Sequence, residues 1–355
     1  MPPSSHKQAP PIPKIVKILE SAQRRTTYFL TPDSQPCAAL PTGQSVPLHS
    51  ADYWRWLSAT LDEDGIIHPS PQQFAAAIKK LEQHAHSTLD VRPVHLRSVE
   101  TKPHHYALDL HSAIEHCIEV NGKDWSIGDA FGLHFRRPIT NHALPYPRKT
   151  TAKLERYLEL SFNLKESEAL DLKNWLILAM LPNATPPPFL IIRGKARDQA
   201  TAIIRNLLDP AVNPILAIPN TPAQIADLTI RNRVLAFSLY GQFSKGKIAM
   251  LKTLRTGMQI PLRESSKHSG QIETRMQRPI IISSDEEVTF EADKLTLEIN
   301  ETADTYPDEF LGALLTAIVR SIRELTRQPA RKFFTQPNPL PTPPPQIPQS
   351  PAPYT

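Results

Sequence analysis

The stretch from Phe189 to Leu208 holds residue types that could do phosphate chemistry. An apolar run, Phe189-Leu190-Ile191-Ile192-Arg193, is followed by the polar segment Gly194-Lys195-Ala196-Arg197-Asp198-Gln199-Ala200-Thr201. Ile203, Ile204, Leu207 and Leu208 then continue at helical spacing. A strand, a glycine-led loop and a helix are the setting of a phosphate-binding loop, GxxxxGK[ST]. There, backbone amides surround the phosphates, lysine neutralises them and the hydroxyl holds magnesium. Here only Gly194 and Thr201 fit, because Gln199 stands at the second glycine and Ala200 at the lysine. Lys195 is a cation near the start of the loop, although together with Arg197 and Asp198 it also reads as a solvated turn.

Other chemistries find less support. His104, His105, His111 and His116 lie close in sequence, but neither HExxH nor a Cys/His ligand spacing is present, and a spacing of five does not stack two side chains on one helical face. Cys37 and Cys117 are far apart and have no CxxC neighbour, so no disulfide framework or zinc site is expected. There is no GxSxG elbow for a hydrolase triad.

The elements flanking the loop carry a family resemblance. An aliphatic helix ending on a proline, Asn174-Trp175-Leu176-Ile177-Leu178-Ala179-Met180-Leu181-Pro182, precedes the strand, and Leu207-Leu208-Asp209-Pro210 closes the helix after it. Next come Asn232-Arg233-Val234-Leu235-Ala236-Phe237-Ser238, then Leu251 to Leu254 with Thr256-Gly257. Arg278-Pro279-Ile280-Ile281-Ile282-Ser283-Ser284, Ala292-Asp293-Lys294 and Leu311-Gly312-Ala313-Leu314-Leu315 complete the series. In order and spacing this resembles the P-loop ATPases related to helicases and primases that phages and other mobile elements encode. Upstream segments share the likeness: Tyr53-Trp54-Arg55-Trp56-Leu57, Val94-His95-Leu96-Arg97, Tyr106-Ala107-Leu108-Asp109-Leu110 and Phe135-Arg136-Arg137-Pro138. It covers about residues 50 to 328.

The resemblance implies an α/β fold. A P-loop NTPase-like three-layer domain with a mostly parallel sheet is expected, preceded by a small α+β domain. It also implies where the machinery should be, and there the chain departs from the pattern. The family's VLAFDNL strand has an aspartate for magnesium and water where this chain has Ser238, and its RPVILNG strand has a phosphate-sensing asparagine where this chain has Ser283. Gly194, Lys195 and Thr201 are then the remnant of a nucleotide site, and no catalytic residue is assigned. Arg263, Lys294, Lys245 and Lys247 stand where phosphate or nucleic-acid contacts would be made. Hydrolysis needs neutralised phosphates, a bound magnesium and a placed water, so three losses together point to a retired active site.

Two functional readings follow. One is a non-hydrolysing scaffold acting as a DNA-associated accessory or assembly protein of a phage or mobile element. No cofactor is expected for it; nucleic acid, a second copy of the chain or an active paralogue are its candidate partners. The other is an ATP-dependent helicase- or primase-associated ATPase using ATP and magnesium, for which Asp285-Glu286-Glu287 would have to supply the missing carboxylates.

Composition sets the frame. The 355 residues carry a formal charge of +5, with lysine and arginine gathered at Lys7 to Arg25, from Arg231 to Arg278, and along Arg320, Arg323, Arg327, Arg331 and Lys332. A basic surface of that kind suits phosphate contact that is salt-sensitive and independent of sequence. No apolar run is long enough to span a bilayer and the start lacks a secretory pattern, so a cytoplasmic protein without membrane contact is expected.

Residues 1 to 45, rich in proline, read as a flexible basic arm with a short helix from Ile15 to Arg24. Residues 50 to 148 read as the small α+β domain, with helices at Tyr53–Leu61 and Pro71–His84 and a hairpin turn at Asn121-Gly122. It ends in a linker from Pro138 to Pro147. Residues 151 to 328 read as the degenerate nucleotide-loop domain, with strands near 189–193, 215–218, 233–237 and 279–283. Its last helix is capped by Asp308 and striped by Leu311, Leu314, Leu315, Ile318, Ile322 and Leu325. Residues 329 to 355 read as an extended Pro-rich tail whose PxxP spacings suit an aromatic groove.

Overall fold

The computed structural model describes residues 13–66, 69–112, 116–130, 132–182, 187–241, 244–262, 272–288, 292–304 and 306–327. The Pro-rich tail and Arg263 lie outside them.

The amino-terminal part is a helical layer over a small sheet. Helices α1 (Lys14–Arg25), α2 (Ala51–Glu63) and α3 (Pro71–Thr88) enclose an antiparallel sheet of β1 (Thr27–Leu30), β2 (Pro36–Ala39) and β3 (Ser45–Pro47). Ile18 and Ala22 of α1, Tyr28, Leu57, Phe74, Ile78 and Leu81 form their shared core. Helix α3 begins on a capping box, Ser70 with Gln73, and has proline in its first turn. The expected flexible arm is thereby corrected. From Pro13 onward it is folded, because Ile18 and Ala22 are buried and Ser21, Arg24 and Arg25 all bind Asp64 at the end of α2. Its prolines are placed where they cost little: Pro13 caps α1, and Pro36 and Pro47 lie at the ends of three- and four-residue strands.

A two-stranded parallel pair, β4 (Val94–His95) with β9 (His134–Phe135), and an antiparallel four-stranded meander come next. The meander is β5 (Ser98–Lys102), β6 (His105–Asp109), β7 (His116–Val120) and β8 (Trp125–Asp129), with Asn121-Gly122 in the β7–β8 turn. Pro138 to Pro147 is not a free linker. Asn141 bridges Ala211, the His142 amide donates to Pro210 O, and the buried Leu144 donates to Leu110 O.

The carboxy-terminal part contains a five-stranded, wholly parallel sheet. After α4 (Leu154–Phe162) and α5 (Glu166–Met180) come β10 (Phe189–Arg193), α6 (Arg197–Leu208), β11 (Leu216–Ala217), α7 (Pro222–Arg231), β12 (Leu235–Leu239) and α8 (Lys245–Thr256). An antiparallel ribbon, β13 (Met258–Leu262) with β14 (Ile272–Met276), leads to β15 (Ile280–Ser284), β16 (Lys294–Glu298) and α9 (Pro307–Arg327). The strand order is β11-β12-β15-β10-β16. Alternation along the strands splits the core between two faces, as a sheet covered on both sides requires. Leu190, Ile192, Ala236 and Ile281 pack with α5, α6 and α9, while Phe189, Ile191, Phe237 and Ile282 pack with α7 and α8.

Helix α9 joins the two sheets. Leu311, Leu314, Leu315, Ile318 and Ile322 are buried in a core shared with Leu108, Ile118 and Trp125 of the meander. Two details differ from expectation. Asp308 lies inside the first turn, beside Arg148, and Leu325 is exposed past the end of the apolar stripe. Gly312 is where α9 meets the chain before α4: a Cβ there would lie 1.8 Å from Arg148 O. That contact is with backbone, so no side-chain rotation can relieve it. Gly312→Ala is expected to lower stability by roughly 1–3 kcal/mol through overpacking, read as a shift in the urea midpoint with an unchanged slope.

Candidate functional site

Parallel strands place all their carboxyl ends on one edge, where the sequence puts Gly194, Ser238 and Ser283. That edge of an open α/β sheet is where ligands bind. Gly194 has φ +97°, and a Cβ there would meet Ile299 O at 2.3 Å, so only glycine fits. The chain then enters α6 with few free donors. The Lys195 amide donates to Asn300 Oδ1 (3.2 Å), the Ala196 amide to Ile299 O (3.1 Å) and the Arg197 amide to Gly194 O (3.4 Å). A phosphate cradle needs such amides pointing outward. Here the first three are spent inside the protein.

The helix starts at Arg197, so the second half of the motif is helix rather than loop. Ala200 and Thr201, at the lysine and hydroxyl positions, are both fully buried, and Thr201 Oγ1 has no hydrogen-bond partner among the described residues. Lys195 is exposed. Asp198, half-buried in the first turn of α6, accepts a hydrogen bond from Ser283 Oγ. Ser283 is buried and pairs in register with Ser238 on β12, so the two positions that would carry the family's aspartate and asparagine are neighbours.

Lys245 and Lys247 sit in the first turn of α8, beyond the carboxyl end of β12, Lys245 exposed and Lys247 half-buried. Lys294 is elsewhere. It opens β16 opposite Phe189, at the amino end of the sheet, and its Nζ donates to Val288 O. Asp285, Glu286 and Glu287 follow β15 on the carboxyl edge and are exposed. Among the described residues no three of His, Cys, Asp or Glu are grouped to hold a metal.

The residues that do converge are the charged members of the flanking motifs. Asp209, at the end of α6, is buried and accepts hydrogen bonds at Oδ1 from Arg97 Nε (3.2 Å) and Asn141 Nδ2 (3.3 Å). Its Oδ2 accepts from the amides of Arg233 (2.7 Å) and Val234 (3.1 Å) and lies 3.0 Å from Arg205 Nη1, at ion-pair distance without hydrogen-bond alignment. Burial alone would raise the pKa of this carboxyl, but Arg205, Arg97 and the two amides outweigh it and hold the pKa below the ordinary aspartate value. Arg97 also donates to Asp109 O and His142 O, and the Asp109 carboxylate receives a two-nitrogen fork from Arg137. Arg233 reaches Leu181 O and Ser98 Oγ.

Among the described residues, Arg136 and Arg278 have no carboxylate as a hydrogen-bond acceptor. They donate instead to Ile230 O and to Thr229 O and Asn232 O, at the carboxyl end of α7, where the helix dipole favours a cation. Arg97, Arg136, Asn141 and Asp209 with their neighbours leave a gap with no room for a water molecule. His111 lines it, and burial, reinforced by Arg97, lowers its pKa to about 4. Arg233 and Arg278 thus point inward, against their expected place in a surface basic cluster. The available signal was a lone charge inside an apolar motif: Arg97 after Val94-His95-Leu96 and Asp109 within Tyr106-Ala107-Leu108-Asp109-Leu110.

No family model matches the chain, and no curated protein does. Among solved structures, the A form apo structure of the NrS-1 C-terminal region is similar at TM-score 0.42 and 10% identity, over 87% of this chain and 68% of that one. Another apo structure of the same region gives 0.41 and 11%, over 87% and 67%. Likeness at this level assigns no function. No helix among the described residues is long and apolar enough to cross a membrane.

Removing the Asp209 charge leaves Arg97 and Arg205 facing each other without it. Asp209→Asn is expected to cost roughly 3–5 kcal/mol, the range for breaking a buried pair. The pH dependence has two stages. His111 and Asp209 both have depressed folded-state pKa values, so each contributes stability that is present above its unfolded value and lost as pH falls. Stability is expected to decline first between about pH 6.5 and 4 as the unfolded state protonates the histidine, and again below about pH 4 through the aspartate. Urea titrations from pH 7 to 3 check this, with His111→Gln shrinking the first stage and leaving the part due to His95, which burial also lowers.

Proposed function

We propose that this chain is a non-hydrolysing, P-loop ATPase-like scaffold, acting as a nucleic-acid-associated accessory or assembly protein of a phage or mobile element. The observation that carries the reading is the loop after β10: its first amides are bonded to Ile299 O, Asn300 Oδ1 and Gly194 O, and Ala200 occupies the lysine position inside the core. A triphosphate would meet few outward donors there and would face Asp198, Asp285, Glu286 and Glu287 on the same edge. Without a metal between them, those carboxylates repel phosphate.

The parallel sheet with helices on both faces supports the scaffold half of the reading. The accessory role and its mobile-element setting rest on the motif resemblance, and the nucleic-acid half on that resemblance together with the basic composition. The alternative, an active ATPase, would need Asp285 to Glu287 to hold magnesium against a loop with no inward lysine.

Titration with MgATP, alone and with single-stranded or duplex DNA, tests the reading. No saturable binding at millimolar nucleotide and no turnover above the blank are expected. Ala200→Lys with Ser238→Asp is expected to destabilise the chain without restoring turnover, because residue 200 is fully buried. Stoichiometric, magnesium-dependent hydrolysis by the natural chain would sink the scaffold and restore the ATPase.

A further inference from the structure

Five cations from three distant segments meet along one side of α9. Arg323 donates from Nε to Gly122 O (3.0 Å) and from Nη2 to Lys123 O (2.9 Å), fixing the β7–β8 turn against the helix. Further towards the helix start, Thr316 accepts from Trp125 Nε1, and Gly312 abuts Arg148. Lys149 lies 5.2 Å from the Trp125 ring and pairs with Asp124. Arg320 shares the helix side of Thr316 and Arg323, four residues from one and three from the other. The outcome is a basic strip of Lys123, Arg148, Lys149, Arg320 and Arg323.

The strip carries charge that its surroundings leave uncancelled. Among the described residues, Asp308 pairs with Arg148 and Asp124 with Lys149, and no other ion pair to the strip is formed. Arg323 spends its donors on carbonyls, which satisfy its hydrogens and leave its charge. Arg320 and Lys123 are exposed, with no ion-pair partner among the described residues.

We infer that this strip is a contact surface for a nucleic-acid backbone, and the inference rests on the nucleic-acid half of the function proposed above. From Gly312 to Arg323 the helix rises about 16 Å at 1.5 Å per residue, the length of about five phosphates on one strand of duplex. Guanidinium groups match phosphate oxygens in geometry. Trp125, the aromatic ring among them, is buried, which suits a partner held by charge and independent of sequence.

Fluorescence anisotropy with a labelled 20-nucleotide strand and its duplex, over a range of salt, tests this on the full chain. Lys123→Ala with Arg320→Ala is compared with Lys79→Ala and Lys80→Ala, two exposed lysines on α3. The strip variant is expected to bind about ten-fold more weakly on every sequence, with the slope of log affinity against log salt reduced by about 1–2. The α3 variant should bind as the natural chain does, and both should unfold at the same temperature as it. Natural-strength binding by the strip variant overturns the assignment while leaving the nucleic-acid reading standing. Failure of the natural chain to bind DNA at all removes the nucleic-acid reading and the strip with it.

Discussion

The carboxylate of Asp209 is the interaction on which the rest of the molecule depends. It is fully buried, so it is tolerable only with its oxygens filled, and the groups that fill them come from four places: Arg97 before the meander, Asn141 in the Pro-rich crossing, Arg205 within α6, and the backbone at the start of β12. A buried ion pair of this kind adds little net stability over an apolar equivalent, but it tolerates very few arrangements of its partners. The meander, the crossing segment and the parallel sheet are held in one relative position by that requirement. Arg137 on Asp109 and Arg233 on Leu181 O extend the same constraint outward.

Most regular elements are legible in the sequence because their apolar periods are clean. Phe189 to Ile192, Val234 to Phe237 and Ile280 to Ile282 announce buried strands by unbroken apolar runs, and Phe74, Ile78 and Leu81 announce one face of α3. The amino-terminal arm is misread when proline content is given more weight than Ile18 and Ala22, whose four-residue spacing is the mark of a buried helical face. Long-range pairing is not legible: nothing local to Asp64 says that Ser21, Arg24 and Arg25 close on it, and nothing local to Asp198 says that Ser283 is its partner. Arg233 and Arg278 read as surface residues because lysine and arginine usually are. Only the fold reveals the carbonyls that receive them, at the end of α7 for Arg278 and just past α5 for Arg233.

The division between what this chain keeps and what it lacks has a physical basis. The motif positions that hold the frame together are buried charges, and altering one of them strands its partners in a dry interior. The positions that a phosphate site would need hold small neutral side chains instead, Ala200, Ser238 and Ser283, and Ala200 and Ser283 are buried without stranding a charge. The loop after β10 is also closed by its own hydrogen bonds. Once Asn300 and Ile299 accept the Lys195 and Ala196 amides, those donors are satisfied without a ligand, and opening them would have to give up two hydrogen bonds before any phosphate contact formed. Gly194 is required by its close contact with Ile299 O, so the residue that best matches a working loop has a packing requirement of its own.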